Sequence, residues 1–177
     1  ALARLRGPDG KLELPPVLIA ELRGATAHYD FRRGAALIDR ESLLASLVED
    51  EAPARRTALR RTLEPRGALL ERLRARPEAA LAFAIQHDAL LVHELTHAWQ
   101  DRRDPVLGLI ARGALPEAQL LEYEEEAFIE QSLYLHSRLG REPGSVRPGP
   151  ELDDYLEMTD DFPAWRRRMR DDYIASS

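Results

Sequence analysis

The chain has no cysteine at all. That absence rules out disulfide scaffolds, thiolate metal sites and cysteine nucleophiles, and it leaves the redox compartment open. Lysine is nearly absent as well. Lys11 is the only one, and arginine carries the remaining positive charge, which reads as a codon-usage habit. The net charge is −6, so there is no general attraction for nucleic acid or for an anionic membrane. The basic run RRRMR at 166–170 is flanked by acids and reads as a solvated helix face. No apolar stretch is long and uninterrupted enough to predict a membrane span. No signal peptide is visible, but the first residue is Ala1 rather than Met, so localisation and export stay unassigned.

What is present fits a single domain over residues 1–177. Hydrophobic residues make up 44% and charged residues 32%, and a chain of this length buries a core without a disulfide or metal staple. Residues 1–16 carry Gly7-Pro8-Asp9-Gly10 and Pro15-Pro16 and read as turns and extended chain. Residues 17–24 suit a short helix or a strand. Residues 25–40 read as a hairpin, extended to Tyr29, turning over Asp30–Gly34 and returning along AALI. A helix follows over 41–52 with Asp39 as its N-cap, and 55–76 is helical with a break near Pro65–Gly67. Pro77 opens a helix that runs to Gln100 and is apolar nearly all round, as a helix in a domain centre would be. Residues 101–117 connect to a second long helix over about 117–139. A Gly/Pro-rich loop spans 140–150, and the C-terminal extension 151–177 holds one or two helical turns and a frayed tail.

Within the first of these long helices stands HELTHAWQ, residues 93–100. His93 and His97 are four apart, so their imidazoles lie on one helix face about one turn from each other. Both can reach a single zinc ion, which takes its third protein ligand from elsewhere and keeps one position open for water. Glu94, next to the first histidine, can accept that water's proton as general base and hand it on to a leaving amine. The bland alternative is a pair of core histidines beside a satisfied glutamate. It explains poorly why charge is placed in so apolar a helix, where an unpartnered carboxylate would cost several kcal/mol.

The HExxH motif resembles that of the zincin metallopeptidases. A metzincin would continue HExxHxxGxxH, but Ala98-Trp99-Gln100-Asp101-Arg102-Arg103 has neither that glycine nor a third histidine. The resemblance is therefore to the gluzincins, whose third ligand is a glutamate on the next helix, often in E-x-x-A-D. Residues from about 25 to 139 are similar to a minimal gluzincin core. The resemblance implies an α+β fold, mostly helical, with a short twisted sheet packed on the HExxH helix and an edge strand to which a peptide can add.

The second helix offers LLEYEEEAFIEQSLYLH. At 100° per residue, Leu120, Leu121, Tyr123, Ala127, Phe128, Tyr134 and Leu135 gather on one face, with Glu124 and Gln131 near its middle. Glu124-x-x-Ala127 also matches the gluzincin pattern, 27 residues after His97. Phe128, however, stands where the family carries the acid or amide that bonds a zinc histidine. A competing register makes Glu126 the ligand with Glu130 behind it, and Glu122 is the remaining candidate.

Other residues are open to two readings. His28 and Tyr29 on the expected strand, and Tyr123, Tyr134 and His136 on the second helix, could stabilise an oxyanion, with solvent exposure or packing as the plainer role of each. His87 faces away from the motif, and Trp99 and Trp165 read as core anchors. A di-iron bundle needs a second E-x-x-H, and position 133 is Leu. The expectation is zinc-dependent hydrolysis of peptide bonds, one zinc per chain held by His93, His97 and Glu124, with Glu94 as the catalytic base. The alternative is a zincin-fold binding or regulatory module whose metal is structural or covered. Expected partners are a protein or peptide substrate and a partner that presents it, or else a C-terminal segment that folds over the cleft and keeps the enzyme latent.

Overall fold

The computed structural model describes residues 5–6, 9–48, 52–63, 66–75, 77–104, 117–141, 144, 146 and 148–176. It is mostly helical (72%) with a small mixed sheet, an α+β arrangement. Strands β1 (Val17–Ala20), β2 (Ala27–Asp30) and β3 (Ala35–Asp39) lie in the order β1-β3-β2. The hairpin expected over residues 25–40 is present. Its turn is closed by the Asp30 carboxylate, which accepts the N–H groups of Arg32 and Arg33 at 2.9 and 3.2 Å, and by Gly34 at φ 56°. In β2 the residues alternate: Ala27 and Tyr29 are buried and His28 is exposed. Alanine is a poor strand former, yet Ala35 and Ala36 serve in β3 because that strand is central and buried.

Eight helices are named among the described residues: α1 (Arg40–Val48), α2 (Pro53–Leu63), α3 (Arg66–Ala75), α4 (Pro77–Gln86), α5 (Asp88–Arg103), α6 (Glu117–Arg141), α7 (Pro150–Asp160) and α8 (Phe162–Ser176). Asp39 caps α1 as expected. Its carboxylate accepts the Ser42 N–H at 2.8 Å and the Ser42 hydroxyl at 3.0 Å, and also the Leu22 N–H at 2.9 Å. Burial alone would raise the Asp39 pKa, but the N–H donors of Leu22 and Ser42 outweigh it and hold it below the usual carboxylate value.

The chain groups into two compact units, each with its own core. Residues 17–28 and 37–88 form one, built around Leu43, Leu44, Leu63, Leu69 and Phe83. Residues 1–16, 29–36 and 89–177 form the other, with two clusters. In the first cluster, Tyr29 of β2 and Leu5 pack on Ala98 of α5, with Phe31, Leu95 and Trp99 around them. In the second, Leu121 of α6 packs with Trp165 and Met169 of α8.

Three expectations need correction. The helix expected to run unbroken from Pro77 to Gln100 is two helices, divided at His87. The ring of His87 turns onto Phe83 (centroids 4.6 Å apart), and Asp88 starts a new helix with its carboxylate at the favourable N-terminal end. The first half is not wholly buried either: Leu81 and Ile85 are 60% and 51% exposed. The C-terminal extension is also more ordered than one or two turns. It forms helices of 11 and 15 residues, the second capped by the Asp161 carboxylate on the Ala164 N–H at 3.0 Å. The expected connection over 101–117 lies outside the described residues from 105 to 116, as do residues 64–65 of the expected break and 142–143, 145 and 147 of the expected loop.

Candidate metal centre

Helix α5 projects His93, Glu94 and His97 from neighbouring positions of one helical turn, and all three are buried. Helix α6 brings Glu124 opposite them. The Nε2 atoms of His93 and His97 lie 3.1 Å apart, and each is 3.4 Å from the Glu124 Oε2. Three donor atoms from two helices thus converge on one point, an arrangement that could hold a metal ion. The chemistry of the set fits a cation: two neutral-capable nitrogens and one carboxylate oxygen, with no competing positive side chain among them.

The electrostatics agree with that convergence. Burial would raise the Glu124 pKa, but hydrogen bonds and charge from His93 and His97 hold it far below the usual carboxylate range. Burial would lower the His97 pKa, but the Glu124 hydrogen bond and charge, then the Glu94 charge and Gln100, push it up to about 9. Each partner therefore favours the charged form of the other.

Gln100, three residues past His97 on the same helix, went unnoticed in the sequence. It is fully buried, and its side chain fixes the imidazole. Its amide nitrogen donates to the Tyr123 carbonyl at 2.9 Å and to Glu126 at 3.0 Å, so its oxygen must face His97, 2.8 Å from Nδ1. Nδ1 then keeps its proton, and the proton that the ring can give up is the one on Nε2, on the side of Glu124. Behind Gln100, Arg103 grips both oxygens of Glu126 at 3.0 Å and lies over the Trp99 ring at 4.3 Å. A polar residue at i+3 from a candidate ligand was the available signal.

The rival registers for the third ligand find other partners. Glu126 belongs to the Gln100–Arg103 network rather than to the triad. Glu125 pairs with Arg166 at 2.8 Å, and Glu122 is exposed. Phe128 stands edge-on against the His93 ring, centroids 4.6 Å apart. His93 Nδ1 is buried without a hydrogen-bond partner among the described residues, and so is the Glu94 Oε2. A buried carboxylate oxygen left without a donor among the described residues calls for a further partner, such as water.

Three of the candidates for oxyanion stabilisation have other partners. Tyr29 donates to Asp101 at 3.0 Å, and burial, then the Asp101 charge, raises its pKa well above the ordinary value. Tyr123 donates to Asp104 at 2.6 Å. His136 is 2.9 Å from the Tyr155 hydroxyl, His28 is exposed, and burial raises the Tyr134 pKa. Trp165 is a core anchor at 1% exposure, while Trp99 is only partly buried. No helix among the described residues is long and apolar enough to cross a membrane. Compared with protein-family models, with curated proteins and with solved structures, the chain matches none.

Proposed function

We propose that this chain is a zinc-dependent peptidase of the gluzincin kind, with His93, His97 and Glu124 as metal ligands and Glu94 as general base. One observation carries the reading: the donor triangle of 3.1, 3.4 and 3.4 Å. Four-coordinate zinc with bonds of about 2.0–2.1 Å spaces its donors roughly 3.3 Å apart. Nitrogen and carboxylate donors without a thiolate suit a catalytic rather than a structural zinc site. When bound, zinc supplies a Lewis acid that polarises a carbonyl and acidifies water.

The protein's own groups do the rest. Gln100 keeps the His97 proton on Nδ1 and so keeps Nε2 free to bind. Glu94 holds a buried oxygen with no donor from the described residues, so it can take a proton from water and return it to the departing amine. A purely structural site has no use for that carboxylate, which favours hydrolysis over a binding module.

The test is elemental mass spectrometry beside a peptidase assay. The expected result is one zinc per wild-type chain, lost in Glu124→Ala and in His97→Ala but kept in Glu126→Ala. A quenched-fluorescence peptide mixture should be cleaved by wild type and not by Glu94→Gln. No bound zinc after supply of the metal would overturn the reading.

A further inference from the structure

The two histidines of the triad are held in different ways. His97 has a hydrogen bond behind it, from Nδ1 to the Gln100 oxygen at 2.8 Å. His93 has none. Its Nδ1 is buried without a partner among the described residues. Its polar contacts are made by Nε2 instead, to the His97 Nε2 at 3.1 Å and to Glu124 at 3.4 Å.

The torsion that turns an imidazole about its Cβ–Cγ bond is broad and has no sharp minimum. Without a bond at Nδ1, the plane of the His93 ring is set by what lies against it. Two rings do so: His97 at 4.8 Å and 83°, and Phe128 at 4.6 Å and 70°. The His97 ring belongs to the triad that needs support. Phe128 is the support from outside it.

Phe128 is itself wedged from behind. Its ring meets Trp165 of α8 at 5.7 Å and 78°, and Trp165 stacks with Phe162 at 5.6 Å. Trp165 is fully buried and packs with Leu121 and Met169, and Phe128 rests on that cluster. A close-packed ring has little room to tilt. The contact also favours a ring over an aliphatic side chain, because edge-to-face pairs contribute beyond the area they bury.

Resting on the reading of His93, His97 and Glu124 as metal ligands, we infer that Phe128 is a positioning residue of the metal site. It holds the His93 ring in the plane that turns Nε2 toward Glu124, and Trp165 backs it. One ligand of the site is thus oriented by a hydrogen bond and the other by aromatic packing.

Four variants test this on the full chain. Phe128→Leu and Phe128→Met remove the ring and keep an apolar side chain. Phe128→Tyr keeps the ring. Met169→Ala loosens the same cluster and leaves both rings in place. Zinc affinity is read by competition with a chelator. The visible absorption of the cobalt-loaded protein reports ligand geometry, and imidazole NMR signals report the two rings in chelator-treated protein. Both ringless variants should bind zinc about tenfold more weakly. They should also alter the cobalt spectrum and disturb the His93 signals more than those of His97. Phe128→Tyr should match wild type in all three readouts. Met169→Ala should lower the Tm with the cobalt spectrum unchanged. A wild-type spectrum in both ringless variants, or an equal change in Met169→Ala, would overturn the inference and leave the metal site standing. Neither zinc nor cobalt bound by wild type would overturn the metal reading and this inference together.

Discussion

Helices α4 and α5 follow one another in the chain and invert the usual relation between composition and burial. Helix α4, PEAALAFAIQ, is the more apolar, yet it leaves Leu81 and Ile85 largely in water and buries Phe83 at 3% exposure. Helix α5 carries His93, Glu94, Thr96, His97 and Gln100, and all five are buried. An apolar side chain in water costs little, because protein surfaces are more than half apolar anyway. A polar side chain in the interior costs a great deal unless it has a partner. The polar burial in α5 is therefore the informative feature. Glu124, Gln100, the Tyr123 carbonyl and Glu126 supply partners for His93, His97 and Gln100, and Thr96 returns its hydroxyl to the Val92 carbonyl at 2.8 Å.

That contrast can be broken by substitution, and the largest effect belongs to α5. Glu94→Gln keeps the shape and removes the proton acceptor. It should retain zinc while peptide hydrolysis falls by about 10²–10⁴-fold in kcat. Equal loss of zinc would make Glu94 a structural rather than a catalytic group. Next comes Gln100→Ala, which removes the donor network behind His97. Zinc affinity measured by competition with a chelator should weaken by about 10–100-fold, and Glu126→Gln should weaken it less. In α4 the same type of change divides by burial. Phe83→Ala should cost about 3–5 kcal/mol in urea unfolding, and Leu81→Gln should stay within about 0.5 kcal/mol. A large cost at Leu81 would mean that its exposed side chain is covered in solution.

The smallest effect lies outside both helices, at the cap of α1. The folded-state pKa of Asp39 is lowered, so its contribution is present above the unfolded carboxyl value of about 3.9 and is lost as pH falls through the folded value. Asp39→Ala should cost about 1 kcal/mol at pH 7, and the difference from wild type should shrink toward pH 2 in denaturant melts. A difference that does not change with pH would remove the charge from the explanation.

The readable parts of this chain are those written by local rules. The β2–β3 hairpin follows from Asp30 and Gly34, and the start of α1 from Asp39. The long helix carrying Glu124 follows from its 3.6-residue period, and that period also singles out Glu124, because a carboxylate in the middle of an apolar face stands out. The division at His87 was not legible. Gln86-His87-Asp88 reads equally well as a polar turn of one helix, and no local signal marks the division. The C-terminal helices were underestimated for a similar reason. Their apolar residues Trp165 and Met169 are sparse, and they are held by contact with Leu121 and Phe128 of α6 rather than by a strong pattern of their own.

The sequence by itself determined that two imidazoles and a carboxylate share one turn of α5, because helical spacing is a property of the backbone and needs no partner. It also determined the absence of thiolate chemistry. The tertiary structure decided what those groups face. Only the packing of α6 on α5 brings Glu124 to 3.4 Å from both nitrogens and places Phe128 on His93. Only the same packing gives Gln100 two acceptors that set its amide, and through it the ring of His97. Spacing along a helix fixes neighbours within a turn. Partners 23 to 35 residues away meet through the burial of side chains that no local rule specifies.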